Sequence, residues 1–143
     1  MARRPHWDVL LVIAAGGALG SLARYGMGVA LPHPPGGFAV STLLTNVLGC
    51  LLIGVLMVVI TETAQPHRLL RPFLGIGLLG GFTTFSTYVL DTVDAAQHDR
   101  PWTALGYAVG SVFASLAAVL VGMLTTRRLL HRRPTRQKQA GGV

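Results

Sequence analysis

The chain has 143 residues, of which 51% are hydrophobic and only 12% charged, and its mean hydropathy is +0.55. One small soluble core cannot bury that much apolar surface, so an ordinary soluble domain is excluded and the lipid bilayer is the expected solvent. The formal net charge of +7 favours contact with anionic lipid over nucleic-acid binding, because many of the basic residues follow the last apolar stretch.

Four apolar stretches have the length of about 20 residues that a membrane-spanning helix needs. They run from Val9 to Leu31, from Val40 to Ile60, from Pro72 to Leu90 and from Trp102 to Leu124. The predicted fold is an all-α membrane protein with one domain over residues 1–124. Residues 125–143 form a basic tail, which we expect to begin as a frayed helix end and to run into disorder.

The first stretch carries Gly16, Gly20 and Arg24 at four-residue spacing, and therefore on one helix face. This pattern is typical of a close packing seam whose Arg24 reaches the membrane interface. The alternative is that Arg24 stands at the vestibule of an anion pathway. Arg3 and Arg4 before an apolar run also fit a cleaved signal peptide, but the run is longer than a signal core, so we expect a retained span.

The second and fourth stretches carry polar side chains at the spacing of one helix face. Thr42 and Asn46 are four residues apart, and Tyr107, Ser111 and Ser115 repeat the interval. A membrane-embedded Asn often joins helices by hydrogen bonds; the alternative is that these groups donate to an anion. A single cysteine in the second stretch cannot form an internal disulfide.

The third stretch is interrupted by Gly-Gly-Phe-Thr-Thr-Phe-Ser-Thr-Tyr at residues 80–88. Irregular backbone at membrane depth is tolerated only when it is buried in protein or lines a wet cavity. The sequence therefore predicts a third helix broken near its middle, with a functional site at the break. The segment lacks the Lys of a phosphate-binding loop, so a nucleotide site is excluded.

The four apolar stretches lack the side chains that catalysis or a proton relay would need. All five histidines lie outside them, which argues against zinc or catalytic clusters and against an enzyme. The acids nearest the stretches, Asp8, Glu62, Asp91 and Asp94, lie at or beyond their ends. A proton-coupled carrier normally needs an ionisable group inside the membrane, so a passive pathway lined by neutral donors is favoured.

The basic residues are distributed very unevenly between the two sides of the predicted bundle. Arg100 is alone on one side, while the other side holds Arg3, Arg4, Arg68, Arg71, Arg127, Arg128, Arg132, Arg133, Arg136 and Lys138. The positive-inside rule then places both termini in the cytoplasm, in a multi-pass protein of the cell membrane.

Three motifs together resemble the Fluc (CrcB) family of fluoride channels. They are Gly-Gly-Ala-Leu-Gly at 16–20 with Arg24-Tyr25, Thr-Leu-Leu-Thr-Asn-Val-Leu-Gly at 42–49, and the Gly-Gly-Phe-Thr-Thr-Phe-Ser-Thr run. The resemblance implies a dimer of antiparallel subunits that passively exports fluoride from the cytoplasm. It also implies a structural sodium ion, held at the dimer centre by the backbone carbonyls of Gly80 and Thr83.

The resemblance assigns the remaining site residues as well. Phe85 and Tyr88 correspond to the family's pore aromatics and Asn46 to its pore-lining amide. The polar track corresponds to Thr42, Ser86, Thr87, Tyr107, Ser111 and Ser115. Tyr88 departs from the motif, which usually has a second Phe there, so one of the two pores to which the subunit contributes is expected to be altered or closed, unless the hydroxyl joins the polar track.

The charge bias is a second departure, because a dual-topology homodimer needs nearly balanced loops. The resulting hypothesis is a heterodimer with an oppositely oriented paralogue; the alternative is a dual-topology homodimer. Two other functions stay open, namely a proton-coupled fluoride carrier and a non-conducting membrane scaffold whose glycines and Asn only pack helices.

Overall fold

The computed structural model describes residues 7–62 and 67–131, and these ranges are helical apart from short connections. The elements are α1 (Trp7–Ala30), α2 (Val40–Glu62), a π-helix (Arg71–Leu79) that continues into the short α3 (Gly80–Phe82), α4 (Ser86–Gln97) and α5 (Pro101–His131). Four segments are long and apolar enough to cross a membrane, the third being Arg71–Gln97 as a whole. The prediction of an all-helical chain with four spans is confirmed for the described residues.

The last helix extends beyond the fourth apolar stretch, where the sequence predicts a frayed helix end. It continues past Leu124 to His131, so the first part of the predicted tail is helical. Arg127 in this extension donates through Nε to Glu62 Oε1 at 2.8 Å, which joins the ends of α2 and α5. The rest of the predicted tail, residues 132–143, lies outside the described residues.

The third span is broken, as the sequence predicts. Helical winding stops after Phe82 and resumes at Ser86, and Thr83 between them is extended, with φ −74° and ψ 156°. The π-helical winding of Arg71–Leu79 was not predicted. Pro72 lies at its start, where a missing N–H costs nothing because the first N–H groups of a helix have no partner within it.

Backbone contact between α1 and the π-helix fixes the position of the broken span. A Cβ atom added to Gly16 would lie 2.5 Å from the Phe73 carbonyl oxygen, and one added to Gly77 would lie 2.8 Å from the Ile13 carbonyl oxygen. Only glycine allows two helices to approach this closely. The seam interpretation of the first stretch agrees with this packing.

The pairing of α2 with α5 forms the other half of the bundle. Val58 on α2 and Tyr107 on α5 are almost completely buried. Only 11% to 28% of each span is buried within the chain, so most of the apolar surface is left for lipid or for another protein. Phe85 and Phe113 are among the most exposed of these side chains.

Candidate functional site

The side chain of Asn46 closes the break in the third span. Its Nδ2 donates to the Thr84 carbonyl oxygen at 2.8 Å, and its Oδ1 accepts from the Thr84 backbone N–H, also at 2.8 Å. In a continuous α-helix that N–H would donate to the carbonyl of Gly80, four residues earlier. Asn46 therefore satisfies the backbone that the break would leave unpaired in an apolar environment, where each unpaired group costs several kcal/mol.

The hydroxyl of Thr84 caps the N-terminal end of α4. Thr84 Oγ1 accepts from the Thr87 backbone N–H at 3.2 Å, donates to Thr87 Oγ1 at 3.0 Å and lies 3.3 Å from Ser86 Oγ. A Thr at this place offers the first N–H groups of a helix a partner that the helix lacks. The Thr87 N–H, which would otherwise donate to the Thr83 carbonyl, is thereby drawn away from it.

The carbonyls of Gly80 and Thr83 thus lose the donors that a continuous helix would give them. Gly80 is exposed on the surface of the chain, and Thr83 is half-buried. Carbonyl oxygens suit a hard cation such as sodium, and the described residues contain no group of three or more His, Cys, Asp or Glu that could bind a metal. These two carbonyls therefore fit the cation that the resemblance implies.

Four aromatic rings lie in contact from the break toward the connection between α1 and α2. The ring centroids of Phe85 and Tyr88 are 5.6 Å apart, those of Tyr88 and Tyr107 5.7 Å, and those of Tyr107 and Phe38 5.3 Å. The Tyr88 hydroxyl donates to the Ala108 carbonyl oxygen at 3.1 Å. Phe85, in contrast, is 77% exposed, so its own chain leaves most of the residue uncovered.

A groove of about 590 Å³ runs from the break along α2 and α5, and we call it the inner groove. It is lined by Asn46, Gly49, Cys50, Ile53, Gly75, Leu79, Gly80, Thr83, Thr84, Phe85, Tyr88, Ser111, Val112, Ser115, Leu116 and Val119. The Ser111 hydroxyl is buried and has no hydrogen-bond partner in the described residues. An unpaired buried hydroxyl costs about 1–3 kcal/mol, so a group that accepts a hydrogen bond from Ser111 would be stabilised in this groove.

A second cavity of about 530 Å³ lies on the side of the α1–α2 connection, and we call it the loop-side cavity. It is lined by Ser21, Arg24, Tyr25, Gly28, Pro32, His33, Ser41, Thr42, Thr45, Thr84, Thr87 and Asp91. Thr84 lines both spaces. The two spaces are therefore both in contact with the break.

The predicted site residues fall into three groups in the structure. Asn46, Phe85, Tyr88, Ser111 and Ser115 line the inner groove with Gly80 and Thr83, whereas Arg24, Thr42 and Thr87 line the loop-side cavity. Ser86 is exposed and lies beside the Thr84 hydroxyl. Tyr107 lines neither space, because its hydroxyl is directed at Asp91 Oδ2 over 3.3 Å.

Sequence reasoning missed two residues that the geometry makes important. Thr84 belongs to the Gly-Gly-Phe-Thr-Thr-Phe motif, which predicts no role for it, although both of its backbone groups and its hydroxyl organise the break. The sequence places Asp91 only as an acid at the end of a span, yet it lines the loop-side cavity. Its position three residues after Tyr88 on one helix was the signal that could have identified it.

Comparison with known proteins gives consistent results. A family model described as "CrcB-like protein, Camphor Resistance (CrcB)" matches residues 11–123. A Thermobifida fusca protein named fluoride-specific ion channel FluC 2 is 48% identical over 132 residues, covering 92% of this chain and 98% of that protein. A Nocardia farcinica protein of the same name is 51% identical over 123 residues, covering 85% and 88%. Another FluC 2, from Streptomyces avermitilis, is 47% identical over 135 residues, covering 92% and 85%, and the same organism has a FluC 3.

Proposed function

This chain belongs to the CrcB family, and from that membership we propose that it is a subunit of a fluoride-specific ion channel that lowers cytoplasmic fluoride by passive export. The single observation that carries the proposal is the buried, unpartnered hydroxyl of Ser111 in a groove that ends at a broken membrane helix. An ion channel is not an enzyme, and the site supplies donors rather than catalytic groups.

Neutral donors are the chemistry that a small, strongly hydrated anion requires. Fluoride gives up its water only if closely spaced donors replace it, and Ser111 and Ser115 follow each other by one helical turn along the inner groove. The rings of Phe85 and Tyr88 line the same groove, and ring edges carry the positive part of the aromatic quadrupole. Among the described residues that line the inner groove there is no cationic side chain, so no side chain traps the anion through a full positive charge.

A sodium ion at the carbonyls of Gly80 and Thr83 completes the proposed site. When bound, the ion would supply a fixed positive charge near the membrane midplane. This charge would lower the free energy needed to place an anion nearby in a low dielectric. The support is that the Thr84 and Thr87 N–H groups, which would otherwise occupy these carbonyls, bond to Asn46 and to the Thr84 hydroxyl instead.

The active assembly in this proposal is an antiparallel dimer, and the partner is an oppositely oriented paralogue. The strong exposure of Phe85 supports a second subunit at this face. The uneven distribution of basic residues supports one orientation in the cell membrane, with both termini cytoplasmic. Relatives numbered 2 and 3 come from one organism, so a single organism can encode more than one paralogue. A dual-topology homodimer is the alternative.

Reconstitution tests both parts of the proposal. The chain is placed in liposomes alone and after coexpression with a four-span paralogue of opposite charge bias, and fluoride efflux is followed with an ion-selective electrode. We expect efflux only from the coexpressed pair. Robust efflux from the isolated chain would contradict the heterodimer, whereas efflux from neither sample would contradict the channel and favour a scaffold.

The proton-coupled carrier is separated from the channel by the driving force. A channel dissipates a fluoride gradient and follows the membrane potential, whereas a carrier uses a pH gradient to accumulate fluoride. Uphill fluoride uptake driven by protons alone would support the carrier. The described residues that line the inner groove include no acid, and this favours the channel.

A further inference from the structure

The loop-side cavity contains a titratable pair to which neither the sequence nor the family comparison assigned a role. His33 Nε2 lies 3.8 Å from Asp91 Oδ1, and the side chains are 27% and 13% exposed. His33 comes from the connection after α1 and Asp91 from α4, so the pair joins two separate elements of the cavity lining. Histidine is the side chain that ordinarily changes charge between pH 5 and pH 8.

The charges that face the pair are few. α1 contributes Arg24 and the neutral phenol of Tyr25, α5 contributes the Tyr107 hydroxyl at 3.3 Å from Asp91 Oδ2, and α2 contributes only hydroxyls and no charge. The Asp91 carboxylate is therefore the one negative charge that an anion meets in the lining of this cavity. A like charge at this position lowers the local concentration of an anion.

A second His–Asp pair lies nearby but outside the cavity. His98 Nδ1 is 3.3 Å from Asp94 Oδ1, and Asp94 Oδ2 accepts from the Gly36 N–H at 2.6 Å. These two residues hold the α1–α2 connection against α4 and do not line the loop-side cavity. They therefore offer a matched control on the same face of the chain.

We propose that His33 and Asp91 form a proton-responsive gate in the loop-side cavity, which shares Thr84 with the inner groove. At high pH neutral His33 leaves Arg24 and Asp91 as the charged side chains of the lining, so the cavity has no net positive charge to attract the anion. At low pH His33 takes up one proton from water, and its charge offsets that of Asp91. Flux is then expected to rise as pH falls through the range in which histidine titrates. This inference rests on the proposed channel function.

The test is fluoride efflux from liposomes that contain the assembled channel, with pH varied equally on both sides between about 5.5 and about 8. Protein-free liposomes give the background from membrane-permeant HF, which is subtracted. We expect efflux about fivefold faster at the acidic end, the scale of one unit charge acting over a few ångströms in a wet cavity. His33→Asn should abolish this response, and His98→Asn should keep it.

Asp91→Asn gives an independent check, because its amide oxygen still accepts from Tyr107 while the charge is lost. We expect fast efflux from this variant at every pH, with assembly verified by gel filtration. A flat pH profile in the unmodified channel, or a response that survives His33→Asn, would overturn the gate while the channel function stands. Absence of efflux at every pH would contradict the channel function, and the gate with it.

Discussion

Asn46 and Thr84 exchange two hydrogen bonds, each of 2.8 Å, between the side chain of one helix and the backbone of the break in another. The amide thus acts as a local substitute for the missing turn of helix. The interpretation of Asn46 as interhelical glue and its interpretation as a lining group are both compatible with this geometry, because an amide nitrogen has a second N–H to offer.

Asn46→Asp separates these roles sharply, since the side chain keeps its shape. A carboxylate accepts from the Thr84 N–H but repels the Thr84 carbonyl oxygen, so we expect a stability loss of about 2 kcal/mol and the loss of most fluoride efflux. Thermal unfolding in detergent and liposome efflux measure the two effects. Full efflux from Asn46→Asp would show that the break does not need this clamp.

Ser111→Ala is expected to lower fluoride efflux about tenfold, a loss of about 1.4 kcal/mol in stabilising the passing anion. The melting temperature should not fall, because the variant removes a buried hydroxyl that has no partner in the described residues. Thr126→Val is the control on the same helix, since its hydroxyl already donates to the Gly122 carbonyl oxygen at 2.7 Å. An equal loss of efflux in both variants would contradict a specific role for Ser111.

Phe85→Ile tests the exposed ring at the break. It removes an aromatic edge from the inner groove, so fluoride efflux should be abolished while the protein remains assembled. Phe113→Ile is the matched control, because Phe113 is 68% exposed on α5 and does not line the groove. Gel filtration reports assembly. Unchanged efflux in Phe85→Ile would favour the scaffold interpretation.

Tyr88→Phe addresses the departure from the family motif. The Tyr88 hydroxyl donates to the Ala108 carbonyl, so its one proton is not available to fluoride, and the ring is the part that lines the groove. We expect efflux within about twofold of the unmodified channel and a stability loss of about 0.5–1.5 kcal/mol, the usual contribution of one hydrogen bond. A severe loss of efflux would instead place the hydroxyl in the polar track.

Replacing sodium with a large organic cation should reduce fluoride efflux, because the carbonyls of Gly80 and Thr83 would lose the ion that they are proposed to hold. Thr83→Ala should leave this sodium dependence intact, since the proposed ligand is the backbone oxygen. Efflux measured across a sodium titration, with the same anions throughout, provides the comparison. A channel indifferent to the cation would contradict the proposed sodium site.

The sequence was sufficient to predict the four spans and the position of the break, because both follow from local composition and from the cost of bare backbone in lipid. It could not predict the partner of Thr84, which is 38 residues away along the chain. The stripe of Tyr107, Ser111 and Ser115 illustrates the same limit. Helical periodicity puts the three on one face, but only the packing of α4 directs Tyr107 toward Asp91 and leaves Ser111 without a partner.

The exposure of Phe85 also has a genetic consequence in the proposed heterodimer. The ring is presented outward, so the pathway it serves would be finished by the neighbouring polypeptide. A mutation of Phe85 would then impair a pore that is lined largely by residues of the partner, which another gene encodes. The two genes would therefore have to coevolve, because each subunit could accept only substitutions that are compatible with the other.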